Sequence, residues 1–550
     1  MERDFKESIW TAGAANYPGE TLVCPTIRSC RRLIRILAAL SLIISFVLGG
    51  CAKVESPTNS PPTVIRFRGG GFWFRDLEKK FADFSTKKIT IKRLSDLDWS
   101  ASEQYRQTVL VLSSIYDAGA SKDQAGADEY GTLHDEVDVM ITDPSWVPEF
   151  ARNGWLTPFD ESTAEILREA GVDPIRVAGK NDSANAPPIY GIPITRGADL
   201  IFYWKSSFGG DVERARQEWE SSITSGRSLG GGLLTDGQDF YRFFCGLIWS
   251  IEPSWPYDSS GKLVVDTPGT RQILTFLMRS TQIERVEPTS SRSEQFSRQR
   301  KCFSLFAGCA DNAMQAPPSR SGVANANRAC WLLSTGAQRM LISARSQLLD
   351  ALGDIGVLPL TAAIKKPGYS LAGGKCLIMP RRLTSTNKNV AGAIPHLVEY
   401  LLSAPGQRDL CLDQFEIPAR REVLTKPMIT AEEVATVLTK WQQPTSVDKK
   451  HISQQSDQVL QLLRDIEKAL TDSSKMIIVQ ERPLSRYEAF AVNQMLCELL
   501  ARHNNPPGES PVDEKARVDN ALARLQAILE TEHRFYSPAV PLHSSAGSAP

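Results

Sequence analysis

The chain has 550 residues, 63 basic and 63 acidic side chains, 42% hydrophobic residues, 37 Gly and 33 Pro. At roughly 100–200 residues per domain, that length holds several folded units with a sizeable core, and the balance excludes a disordered chain, a fibrous repeat and a multispan membrane protein. The absence of net charge argues against a nucleic-acid partner, and six His with no H-E-x-x-H pair and no C-x-x-C leave no metal or cofactor site to propose.

In chain order, the first informative segment is basic and then apolar. Arg28, Arg31, Arg32 and Arg35 precede the 13-residue run ILAALSLIISFVL at 36–48, which reads as a signal peptide and is shorter than the roughly 20 residues a spanning helix needs. The run ends in Leu48-Gly49-Gly50-Cys51, which resembles a bacterial lipobox. That resemblance implies a diacylglycerol on the Cys51 sulfur and cleavage before it. The result is an extracytoplasmic protein anchored to the membrane, in the periplasm or on the outer cell surface. Two or three acyl chains, at about 0.8 kcal/mol per buried methylene, would hold it without a spanning helix. An ordinary signal peptide with a chance cysteine is the alternative. The Pro/Ser/Thr-rich residues 52–63 suit a tether, so folding is expected to begin near Val64.

From Val64 the pattern is a strand (VIRFR), a Gly69-Gly70-Gly71 turn, a helix with Leu77, Phe81 and Phe84 at three-to-four spacing, and an alternating strand at Ile89-Thr90-Ile91. Strand, helix and strand within about 30 residues predict a right-handed crossover and parallel pairing. The glycines lack G-x-G-x-x-G spacing. Ligand crevices of open parallel sheets lie at the carboxyl ends of strands, which makes Trp73 and Phe74 candidate ligand contacts. A second buried strand, Asp138-Val139-Met140-Ile141-Thr142-Asp143, ends in a carboxylate and is followed by a helix through Phe150. Residues 113–135 and 284–301 read as solvated insertions. Val459, Leu463, Ile466 and Leu470 share one helical face, as do Val518, Leu522, Leu525 and Leu529, and both stripes are expected to face the core.

Cys245, Cys302, Cys309, Cys330, Cys376, Cys411 and Cys497 remain after Cys51. An odd number leaves at least one thiol free. A disulfide would be sought among Cys302, Cys309 and Cys330, small buried hydrophobes being the alternative.

The run DVDVMITDPSWVPEFARNGWLTPFD resembles the matching stretch of bacterial extracellular solute-binding proteins of the sugar-binding type, especially trehalose/maltose and multiple-sugar binders. Further segments fit in order: Tyr190-Gly191-Ile192-Pro193 with Leu200 to Lys205; Gln238 to Ser250 followed by Gly261-Lys262; Gly353 to Pro359; Gly373-Gly374 through Arg420; and Glu481-Arg482-Pro483 to Leu529. The resemblance implies a two-lobed α/β periplasmic-binding-protein fold of the type II kind. Each lobe would be a mainly parallel sheet flanked by helices, with a hinge and a central cleft. It places a first lobe over 64–195, a second over 196–357, a return to the first over 358–410, and a return to the second with C-terminal helices over 411–535. It implies a monomer that closes on a carbohydrate ligand, a di- or oligosaccharide, and delivers it to the membrane subunits of an ABC importer. The importer's ATPase would lie on another chain, since no G-x-x-x-x-G-K-[ST] occurs here.

A sugar site needs carboxylates or amides to accept hydroxyl protons, Arg or Lys to donate, and aromatic planes to stack. The resemblance puts Asp143 at the ligand carboxylate, with a helix-capping or interlobe hydrogen-bonding role as the alternative, and Arg420 at a ligand-reaching arginine, with a surface arginine as the alternative. Trp249 and Trp331 match tryptophans that either stack on the sugar or belong to the core; Trp146 and Trp155 read as core. Tyr190 and Arg196 complete the candidate ligand set. This chain departs from the pattern with Gly197 in the place of an aspartate, and with Arg196 and Phe72-Trp73-Phe74 adding positive charge and aromatic bulk. The ligand is therefore an oligosaccharide or a substrate carrying negative charge. A lipoprotein reporting to a signalling partner and a lipid-anchored glycoside hydrolase are the alternatives. For hydrolysis, Asp138 and Asp143 lie five residues apart on one strand, which puts them on opposite faces, and no catalytic residue is assigned.

Overall fold

The computed structural model describes residues 62–69, 76–94, 108–109, 111–113, 137–178, 186–225, 233–235, 240–258, 260–280, 331–334, 351–360, 370–381, 388–426, 428–442, 449–472, 477–478, 491–492, 495–496, 499 and 511–536. Cys51, Trp73, Phe74, the signal peptide, the tether up to residue 61, residues 114–135 and 284–301 of the two insertions, the Cys302/Cys309/Cys330 group and the 481–483 motif lie outside these residues.

The described chain opens with β1 (Thr63–Arg68), α1 (Leu77–Phe84) and β2 (Ile89–Arg93). β1 and β2 pair in parallel with Ile65 opposite Ile91, the crossover that the apolar spacing predicts. Leu77 and Phe81 are buried, whereas Phe84, at the last position of α1, is 37% exposed and leans on the Tyr400 ring at 5.2 Å. There follow β3 (Val139–Thr142), α2 (Val147–Arg152), α3 (Glu161–Ala170), β4 (Ile175–Arg176) and β5 (Ile189–Pro193). Asp160 caps α3 by accepting from Thr163 N, and Gly171 closes it at φ 64°, the left-handed turn that favours glycine.

The chain then passes through β6 (Thr195–Arg196) into β7 (Leu200–Trp204), α4 (Val212–Ser225), β8 (Leu233–Thr235), α5 (Phe240–Ile251), α6 (Pro268–Ser280), β9 (Trp331–Ser334) and β10 (Ile355–Pro359). It returns through β11 (Ser370–Leu371) to β12 (Cys376–Ile378), α7 (Lys388–Leu402), α8 (Ala404–Gln414) and β13 (Ile417–Pro418). It ends with α9 (Ala431–Gln442), α10 (Lys449–Asp472), β14 (Ile477–Ile478) and α11 (Pro511–Tyr536).

Two main sheets organise these elements. The first is six-stranded in the order β2-β1-β3-β12-β5-β4 and the second four-stranded in the order β10-β7-β9-β8. Both are mixed rather than mainly parallel: β2-β1-β3 and β8-β9 are parallel, and the other pairs run antiparallel. β12 enters the first sheet after the chain has visited the second. It arrives from the interlobe end and so pairs antiparallel with both neighbours, without needing a local crossover helix.

Each sheet is covered on both faces, which explains continuous apolar strands such as LIFYW. Ile201 and Tyr203 of β7 face a core shared with α4, α5, α6 and α11, while Leu200, Phe202 and Trp204 face one shared with α9 and α10. In the first sheet Val139 and Ile141 face α1, α3 and α7, and Met140 faces α2. The stripes Val459/Leu463/Ile466/Leu470 and Val518/Leu522/Leu525/Leu529 are buried in these cores, as their spacing predicts. Cys245, Cys376 and Cys411 are buried free thiols. Among the described residues, no helix is long and apolar enough to cross a membrane, and no group of His, Cys, Asp or Glu could hold a metal ion.

Candidate functional site

Among the described residues, three segments link the two sheets, and backbone hydrogen bonds tie them together. Gly373 N donates to Gly197 O at 2.8 Å, Ile194 N to Lys375 O at 2.8 Å, and Lys375 N to Thr195 Oγ1 at 2.8 Å. β6 pairs antiparallel with β13, setting Arg196 opposite Ile417 and Thr195 opposite Pro418. The buried amide of Gln407 joins the third segment: its Nε2 donates to Ile194 O at 3.0 Å and Leu401 O at 2.6 Å, and its Oε1 accepts from Arg420 N at 3.1 Å. The backbones approach so closely that glycine is required. Gly374 has φ 99°, and a Cβ there would lie 2.5 Å from Thr195 O.

Asp143 stands at the carboxyl end of β3, beside this crossing. Its Oδ1 accepts from Ser145 N at 2.8 Å and Ser145 Oγ at 2.6 Å, capping the short helical turn Pro144–Trp146. Its Oδ2 accepts from Arg242 Nη1 at 2.6 Å, and Arg242 belongs to the first turn of α5 in the other lobe. Arg242 Nη2 also donates to Ala372 O at 2.9 Å, on the segment leading into β12. The capping and interlobe roles are thus both present at Asp143. A carboxylate offers about four acceptor positions; three are used among the described residues, and the side chain is 21% exposed. Burial, and after it the charge of Asp143, pushes the neighbouring Cys376 thiol well above its ordinary range.

Arg196 is ion-paired to Glu467 of α10, and its Nε donates to Pro418 O at 3.3 Å. Burial lowers the Arg196 pKa and the Glu467 charge opposes that shift, while the positive charge of Arg421 adds to the lowering. Glu467 Oε1 also accepts from Thr471 Oγ1 at 2.9 Å, so both carboxylate oxygens have donors. Arg420 follows β13, with its Nη2 at 3.4 Å from Glu422 Oε2. Asp143 thus stands beside the interlobe crossing, while Arg196 in β6 and Arg420 after β13 lie within it with their guanidinium groups turned to Glu467 and Glu422.

The aromatic candidates are placed differently. Trp249 is buried and donates from Nε1 to Trp255 O at 2.9 Å. Trp331 on β9 is fully buried among Tyr203, Phe208 and Trp219, with ring centroids 5.1–5.6 Å away. Both pack in the second-lobe core. Tyr190 on β5 is half-buried against the core face that carries Trp146 and Trp155, in the first lobe alone. Asp138 is buried, and its Oδ2 accepts from Arg66 N at 2.8 Å, fixing β3 beside β1.

Arg242 and Glu467 are the site residues that motif reading misses. Arg242 is the single charge in FYRFFCGLIWSI, and a lone cation on an apolar helix signals that a partner is needed without saying which.

No protein-family model matches the sequence, and no curated protein matches it. Solved structures do. The GacH receptor of Streptomyces glaucescens, determined unliganded and in complex with acarbose, is 15% identical, covers 87% of this chain over 100% of its own, and superposes with a TM-score of 0.50. Maltose-bound MalE3 of T. maritima is 15% identical, covers 86% of this chain over 100% of its own, and gives the same TM-score of 0.50. At that identity the likeness speaks to architecture, and together with two covered sheets joined by three crossing segments it establishes that the chain has the two-lobed α/β fold of the periplasmic binding proteins.

Proposed function

We propose that this protein is an extracytoplasmic solute-binding protein, anchored through lipidated Cys51, that captures a carbohydrate between its lobes and delivers it to an ABC importer. The observation that carries the reading is Asp143: a partly exposed carboxylate at a strand's carboxyl end, beside the interlobe crossing, with one acceptor position unfilled among the described residues. A sugar hydroxyl donates to that position, and Arg420, partly exposed beside Glu422 after β13, offers a further guanidinium donor in the same crossing. The acarbose and maltose complexes of the two structural neighbours support the ligand class. In this reading each lobe holds part of the ligand, the bound sugar stabilises the closed form, and the closed form is what a permease recognises.

A thermal-shift screen of the Cys51→Ser chain against mono-, di- and oligosaccharides, sugar acids and polyols tests this. A ligand that binds only the folded state adds about 2.7 kcal/mol of stability at 100 times its Kd, so a true ligand raises Tm in a concentration-dependent way. No shift with any member of the panel would overturn the carbohydrate assignment.

A further inference from the structure

We infer that Arg242 is a positioning residue: its ion pair with Asp143 is a ligand-independent latch that sets the resting angle between the lobes. Arg242 is carried by α5 in the second lobe, is 9% exposed, and grips two points outside that lobe with separate nitrogens. Nη1 holds the Asp143 carboxylate of the first lobe at 2.6 Å, and Nη2 holds Ala372 O on a crossing segment at 2.9 Å. A planar fork holding two acceptors fixes orientation as well as distance, which a point charge cannot do. The cradle is shaped to the guanidinium. Gly373 pairs with Gly197 across the crossing, and a Cβ on Gly373 would sit 3.3 Å from Arg242 Nη2 and 3.2 Å from the Gly197 carbonyl carbon. Asp143 is held in turn by two donors from Ser145, so its free oxygen is aimed before Arg242 arrives.

Any rotation that separates α5 from the end of β3 must break this pair in a partly dry site, where leaving one charge without its partner is costly. The pair therefore favours the lobe angle at which it forms, and every group that makes it belongs to the chain itself. Within the proposed binding function, ligand meets a cleft whose opening is already restricted, so less ordering is required on closure.

Small-angle scattering of the ligand-free Cys51→Ser chain tests the latch, with Asp143→Asn, Arg242→Gln and the double variant compared. Asn at 143 retains an oxygen for Ser145 and keeps the local cap, so this variant carries the test should Arg242→Gln fail to fold. The expected result is a larger radius of gyration in each single variant, an unchanged far-UV spectrum, and no further expansion in the double variant. Amide exchange at Gly373, whose N–H bonds Gly197 O, should accelerate about tenfold in parallel. An unchanged radius in the folded single variants, or expansions that add in the double variant, would overturn the latch. Because no ligand is used, a silent sugar screen leaves this result intact, and a failed latch leaves the binding assignment intact.

Discussion

Arg196 and Glu467 show what a residue's environment adds to its identity. Glu467 is 2% exposed and Arg196 20%, so each charge depends on the other for much of its compensation. Removing one partner strands a buried charge, a loss typically of about 3–5 kcal/mol, whereas replacing both by apolar groups is far milder. Arg196→Met is therefore expected to lower unfolding free energy by about that amount in urea titration, with Arg196→Met/Glu467→Met recovering most of it. A loss below about 1 kcal/mol in the single variant would mean that the pair contributes no more than an exposed one. Arg196 was legible as a departure from the pattern that the sequence resembles, one that brings positive charge to the crossing. Its partner was not, because 271 residues separate the two and only the packing of α10 beside β6 and β13 brings them together. Trp249 and Trp331 make the converse point. An indole is as suitable for a sugar face as for a core, and residue type alone leaves both roles open; the surrounding aromatic packing places them in the core.

At the scale of elements, periodicity carried most of the information. Alternation in Ile89-Thr90-Ile91, the helical stripes of α10 and α11, and the uninterrupted apolar run of β7 each state how many faces of an element are covered. Sheet order and the antiparallel insertion of β12 were not legible, since they depend on where the chain goes between strands. Phe84 fits the helical spacing of Leu77 and Phe81 but lies at the last position of α1, where it stays 37% exposed with its ring 5.2 Å from that of Tyr400. The crossing itself rests on Gly374, whose positive φ and close approach to Thr195 O both exclude a side chain. Gly374→Ala is expected to destabilise the protein by more than about 1 kcal/mol, read as a lower Tm and urea midpoint. A variant as stable as the parent would show that the crossing segments can move apart without loss.

At the scale of the molecule, two lobes each carry a covered sheet and their own cores, so the closure proposed above would move them as packed bodies with bending in the segments between them. The sugar that gives the largest thermal shift is accordingly expected to reduce the radius of gyration at saturation, with little change in helix and strand content. Stabilisation without compaction would argue for ligand binding on one lobe alone. Two lobes were anticipated only through the resemblance that the ordered motifs from Val64 onward carry; composition and spacing by themselves gave no more than a strand-helix-strand crossover and a second buried strand. Local chemistry also determined Asp143 as a carboxylate at the end of a buried strand. What only the tertiary structure decided is which charges meet. Arg242 reaches Asp143 across 99 residues and two lobes, an encounter fixed by the shapes of the packed bodies and the glycine-lined gap between them, to which no sequence period corresponds.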